Sequence, residues 1–175
     1  MADARFAVRF AVILVLLFTA ELTAPVQHAL VEPWTAAVTH ASQGLLDLFD
    51  PAVISFGNVL ASTRSGFVVS IEAGCNGVEA ALVLVAAILA FRAPWRPKAL
   101  GIVVGLAAVQ VLNVIRVVTL FYVGQWSARA FEWAHLYVWQ TLIIIDVLVV
   151  WLLWMRWVGT RAAGAGGAGA GGAGA

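Results

Sequence analysis

Four runs of mostly apolar residues dominate this chain, at about 6–23, 74–91, 99–123 and 133–155. Each is close to the roughly twenty residues that a helix needs to cross a hydrocarbon core of about 30 Å. Only 11% of the 175 residues are charged, against about a quarter in a soluble domain. That deficit cannot cover four such helices with a water-compatible surface, so the chain belongs in a bilayer. The fold class expected is an all-α membrane protein, a four-transmembrane-helix bundle in one domain over 1–158. Residues 159–175 form a Gly/Ala repeat with no means of building a core, expected to be a disordered cytoplasmic tail.

The basic residues orient the bundle. Arg5 and Arg9 precede the first run, Arg92, Arg96 and Lys98 lie between the second and third, and Arg156 and Arg161 follow the fourth. Threaded alternately, four helices put these seven of the ten basic residues on one side, which is the cytoplasmic one. Both termini are then cytoplasmic and 25–72 is extracytoplasmic. The first run resembles a signal peptide in its charge pattern, but Glu21 and Leu22 make a poor cleavage context, so it reads as an uncleaved anchor. With a net charge of +1 there is no basic patch for nucleic acid.

The outer segment carries its own pattern. Glu32-Pro33 marks a helix start. Trp34, Val38, Ala41, Leu45, Leu48 and Phe49 follow on one face, opposite Thr35, Thr39, Ser42, Gln43 and Asp47. The spacing predicts an amphipathic helix lying in the outer interface, apolar face down. Runs at 53–61 and 67–71 are rich in β-branched residues and flank Ser-Thr-Arg-Ser-Gly, which predicts a short β-hairpin.

Three residues stand out for chemistry. Arg116 lies inside the third run, about eight residues or roughly 12 Å before Gly124. An intramembrane arginine is a functional candidate unless it only snorkels to the interface. Asn113, one turn earlier, is placed to hold its guanidinium. Cys75, the only cysteine, opens the second run between Gly74 and the pair Asn76-Gly77. Taken alone it reads as a small packing residue. The glycines bare the backbone for close approach. A helix N-terminus and a nearby arginine lower a thiol pKa, whereas Glu72 and Glu79 act against them. His135 opens the fourth run and by itself is an interfacial histidine among aromatics. Glu132, one turn before it, is the candidate orienter, and Asp146 lies deeper as a packing carboxylate. Threading brings Cys75, Arg116 and His135 to one leaflet on three helices. There a histidine can serve as acid and base for a thiol, and a guanidinium can hold an oxyanion or a carbonyl. One cysteine allows no internal disulfide, no Cys/His cluster has metal-ligand spacing, and no cofactor is expected.

At 72–79, 112–124 and 133–140 the chain resembles the exosortase/archaeosortase family, and within it most closely the exosortase H branch. The resemblance extends over about 5–158 in motif order and span pattern. It implies a cysteine protease or transpeptidase of the cell inner membrane. Its partners are exported proteins with a C-terminal sorting tail, a short motif, a membrane helix and a basic cluster as in PEP-CTERM-type tails. It further implies Cys75 as nucleophile, His135 as acid/base partner and Arg116 as the orienting or stabilising cation, at the outer, periplasmic face. Glu72, Gly74, Asn76, Gly77, Asn113 and Glu132 are the supporting candidates. The acceptor is an amine or water, and membrane lipid surrounds the site. There are two departures: Glu72-Ala73-Gly74-Cys75-Asn76-Gly77, where the common family block reads Cys-Ser-Gly after Glu-Ala, and a short chain with fewer spans than the larger exosortases. The rival reading is a non-catalytic membrane subunit of an export or transport complex, which would tolerate Cys75→Ala. A quinone-linked thiol oxidoreductase would need a second cysteine.

Overall fold

No proline or glycine interrupts the first two dozen residues, and the computed structural model, which describes residues 2–168, has helix α1 over Ala2–Glu21. Pro25 then sits in the first turn of a new helix, where its missing N–H is no loss. This is α2 (Ala24–Leu46), bent by 74° from α1. It begins ahead of the expected start at Glu32-Pro33, and the structure shows how Pro33 is tolerated. One π-helical turn, Gln27–Val31, precedes it, with the Glu32 N–H donating to the Gln27 carbonyl. The ladder is thus loosened just before a residue that has no N–H to give.

The burial of α2 corrects the amphipathic reading. Thr35, Thr39 and Ser42 are buried, together with Val31, Val38 and Leu46, whereas Trp34, Leu48 and Phe49 are exposed. The two threonine hydroxyls are accommodated locally: Thr35 Oγ1 donates to the Val31 carbonyl and Thr39 Oγ1 to that of Thr35, both at 2.8 Å, whereas Ser42 Oγ has no partner among the described residues. Small hydroxyl residues let α2 approach its neighbours closely, as in membrane helix packing.

Beyond α2 lies a three-stranded antiparallel meander, β1 (Val53–Phe56), β2 (Val59–Ser62) and β3 (Val68–Ser70). The Ser-Thr-Arg-Ser-Gly turn joins β2 to β3 as expected. A second turn splits the 53–61 run: Phe56 pairs with Val59, leaving Gly57-Asn58 as the loop, with Gly57 at φ +60°. Such tight hairpins need a positive φ, which glycine supplies.

Three helices complete the fold. They are α3 (Val78–Ala90), α4 (Trp95–Trp126) and α5, which comprises Ala128–Trp133, a π-helical segment Ala134–Trp139 and Gln140–Ala168. By length and composition α4 and α5 can each cross a membrane, and α1 with α2 makes a third candidate if the bent pair is one span. The expected span at 74–91 is a shorter helix. Residues ahead of Val78 are turns, with Gly74 and Gly77 at φ +81° and +76°. The 13 residues that remain rise about 20 Å, less than a hydrocarbon core of about 30 Å. Helix α5 continues to Ala168 over the first residues of the segment expected to lack structure, and 169–175 lie outside the described residues.

Two apolar clusters organise these elements. Ala80, Leu84 and Ile88 of α3 meet Val109 of α4 and Val147 and Trp154 of α5. The other cluster joins Leu46, Val53, Leu60 and Ile71 to Val117 and Phe121 of α4, with Cys75 packed at its edge. Large apolar side chains such as Val15, Leu16, Val103 and Ile144 remain exposed along the long helices. Such a surface belongs against lipid, and the chain is a helical membrane protein.

Candidate active site

The loop 72–77 owes its path to its two glycines, and each is held by a polar side chain. Gly74 donates its N–H to Glu79 Oε1 at 2.6 Å and accepts from Arg116 Nη1 at 3.1 Å through its carbonyl. Gly77 opens α3 in the left-handed region, and its carbonyl accepts from Gln110 Nε2 at 3.3 Å. A Cβ there would meet the Gln110 amide at 2.8 Å and Asn113 Cγ at 3.1 Å. Glycine is therefore favoured at Gly77 by its left-handed conformation, and any side chain there would also have to displace the Gln110 amide. Between the two glycines, buried Asn76 accepts from the Val78 N–H at 3.0 Å and donates to Thr35 Oγ1 at 2.9 Å. The loop is thus tied to α2, α3 and α4.

These ties aim the half-buried Cys75 side chain at α4 and α5. Its sulfur lies 3.6 Å from Arg116 Nη2, and 3.7 Å and 3.9 Å from His135 Nε2 and Nδ1. Arg116 is 2% exposed, so its guanidinium is held between Gly74 and the thiol rather than reaching out to water. His135 projects from the π-helical segment of α5, its ring stacked on Phe131 with centroids 5.7 Å apart and planes 9° from parallel. Burial raises the Cys75 thiol above its ordinary pKa. The Arg116 charge lowers it, while Glu79 and Glu72 raise it further. With the thiol favoured over the thiolate, chemistry at this sulfur calls for a base within reach, and the imidazole is in that position.

The structure therefore brings together Cys75, Arg116 and His135 with Gly74, Asn76 and Gly77. The remaining candidates fall elsewhere. Glu72 turns to the sheet, where its Oε1 accepts from Ser70 Oγ at 2.5 Å and Asn58 Nδ2 at 3.3 Å. Asn113 is fully buried against Gly77 and makes no hydrogen bond to Arg116 among the described residues. The Gly74 carbonyl does that holding instead. Glu132 is exposed and, among the described residues, makes no hydrogen bond to His135; Phe131 packs on the ring in its place.

Glu79, read from the sequence only as a charge near the thiol, is a structural partner of the loop, and Gln110, Thr35 and Phe131 were not singled out. A signal for Gln110 exists, since it lies one turn before Asn113 and two before Arg116 and continues a polar stripe along an apolar helix. Beside the site a cleft of about 260 Å³ opens between α3 and α5, lined by Gly74, Gly77, Glu79, Arg116, Gln140 and Ile144 among others. Among the described residues no group of His, Cys, Asp and Glu could hold a metal.

The family model for transmembrane exosortases (Exosortase_EpsH) matches residues 2–145, a stretch that takes in the loop, Arg116 and His135. The chain belongs to the transmembrane exosortase family. No curated protein and no solved structure matches it. Within the exosortase match, the two side chains that meet at the Cys75 sulfur come from two further elements, 41 and 60 residues along the chain.

Proposed function

We propose that this exosortase-family chain is a membrane-embedded cysteine transpeptidase or protease that acts on the C-terminal sorting tails of exported proteins. The observation that carries the reading is the placement of Cys75 Sγ at 3.7 Å from the His135 ring and 3.6 Å from Arg116. In the reaction, an imidazole nitrogen of His135 takes the thiol proton as sulfur attacks the carbonyl carbon of a peptide bond. The Arg116 guanidinium stabilises the oxyanion of the tetrahedral intermediate. When the C–N bond breaks, the imidazolium returns the proton to the leaving amine, and a thioester remains on Cys75. An amine acceptor or water then attacks the thioester, and the thiol is regenerated.

The cleft between α3 and α5 supports lateral entry, since a tail with its own membrane helix arrives within the bilayer plane. Four passes, termini in the cytoplasm and a periplasmic site make up the topology of this reading. The short α3 makes the second pass with the residues that follow it, and the loop 72–77 lies at its outer end. A direct test co-expresses the chain with an exported protein ending in a short motif, an apolar helix and an arginine cluster. The tail should be removed only when the chain is present. An unshortened substrate across a panel of such tails would contradict the reading.

A further inference from the structure

The end of the bundle opposite the sheet holds a second cleft, distinct from the cysteine site. It has a volume of about 330 Å³, and its lining brings Arg5 and Arg9 of α1 together with Arg92, which follows α3. Its remaining wall is apolar: Phe6, Phe91, Trp151 and Met155, with the Phe6 and Trp151 rings stacked at 5.7 Å. Arg5 and Arg9 share a helix face, being four residues apart. Among the described side chains, which run from Ala4 to Arg161, none of the three arginines makes a salt bridge or a side-chain hydrogen bond, and no carboxylate lines the cleft.

Topogenic charge alone does not account for this arrangement. The rule that cytoplasmic flanks are basic asks only that Lys and Arg lie near span ends. Arg96 and Arg156 meet it without lining the cleft. Three guanidiniums brought to one apolar hollow from two elements form a site for an amphiphile with an anionic head. We propose that this cleft binds an anionic phospholipid, the three arginines holding its phosphodiester and the aromatic wall receiving the start of its acyl chains. Guanidinium presents paired donors that match phosphate oxygens, and basic pockets between membrane helices bind phospholipid heads in this way. The volume suits a headgroup and the first methylenes, the rest of each chain lying in the bilayer.

The test uses the full chain purified in detergent, with lipid binding read by native mass spectrometry. Phosphatidylglycerol should bind in preference to phosphatidylcholine, and millimolar inorganic phosphate should not displace it. Each of Arg5→Gln, Arg9→Gln and Arg92→Gln should weaken phosphatidylglycerol binding about fivefold, the equivalent of about 1 kcal/mol per basic residue. The double variant Arg96→Gln/Arg156→Gln should leave it unchanged. The wild-type comparisons need no variant, so misinsertion of a charge-depleted chain does not blunt the test. Equal binding of phosphatidylcholine would reduce the cleft to an apolar groove and overturn the proposal. Displacement by inorganic phosphate would identify a free-phosphate site and overturn it equally. So would equal loss in the Arg96/Arg156 variant, which would mean diffuse charge, or phosphatidylglycerol binding unaffected by the cleft variants. An acidic peptide outcompeting the lipid would point to a protein partner instead.

Discussion

Glu79 accepts the Gly74 N–H at 2.6 Å, and with the Val78 N–H on Asn76 this contact ties the first turn of α3 back to the loop that carries Cys75. Because Arg116 takes the Gly74 carbonyl, the two peptide groups flanking Gly74 are held by side chains of opposite charge. The carboxylate also raises the Cys75 pKa, so its charge and its hydrogen bond have opposed effects that two variants can separate. Glu79→Gln keeps an acceptor and removes the charge. The alkylation rate of Cys75 against pH should then shift to lower pH, since less is needed to form the thiolate. Glu79→Ala removes both, and processing should fall on the order of tenfold for a lost hydrogen bond to a charged group. The single cysteine makes alkylation a clean readout. An unshifted profile in the Gln variant would remove the electrostatic role.

Arg116 carries the opposite sign. Its charge lowers the Cys75 pKa, so Arg116→Gln should move the alkylation profile to higher pH. Arg116→Lys restores charge but not the two-point geometry, with Nη1 on Gly74 and Nη2 on the thiol. The lysine variant should therefore bring the profile back while processing remains about 100- to 1,000-fold down, the effect of losing an oxyanion donor. Full processing by the Gln variant at neutral pH would leave Arg116 a structural residue.

Asn76 and Thr35, 41 residues apart, share a buried hydrogen bond of 2.9 Å that fastens the loop to α2. Asn76→Ala removes this bond and the one from the Val78 N–H, and should cost about 2 kcal/mol of stability in detergent. Thr35→Ala in the same background should add less than it does alone, since the shared contact is already gone. Strictly additive effects would show that the pair is uncoupled.

The proposed topology rests on the basic segments. Reporter fusions at Ser62 and Ala128 should read as extracytoplasmic, and those at Pro94 and Ala163 as cytoplasmic. A cytoplasmic signal at Ser62 would remove the periplasmic site.

The contact of Cys75 with Arg116 and His135 was legible because a lone cysteine, an arginine within an apolar run and a histidine opening another are rare in so apolar a chain. The partners were less legible. Asn113 and Glu132 lie at helical spacing from Arg116 and His135, but the Gly74 and Gly77 turns reroute the loop. The backbone of Gly74 consequently reaches the guanidinium first. The sequence of α2 shows an apolar and a hydroxyl face, and the side each one takes depends on the solvent. In a bilayer Trp34 and Phe49 can face outward while Thr39 and Ser42 pack inward. The third strand is not evident in the sequence because Gly57-Asn58 lies within a run that reads as one strand.

The central claim is that the Cys75 sulfur is a nucleophile served by His135, and one comparison bears on it most directly. Processing of a tail-bearing exported substrate is measured with wild-type chain, Cys75→Ala and Cys75→Ser at matched membrane levels. Processing should vanish in the alanine variant and be nearly absent in the serine variant, since a hydroxyl is a far weaker nucleophile in the same setting. Undiminished tail removal by Cys75→Ala would contradict the account and return Cys75 to a packing role at the edge of the sheet.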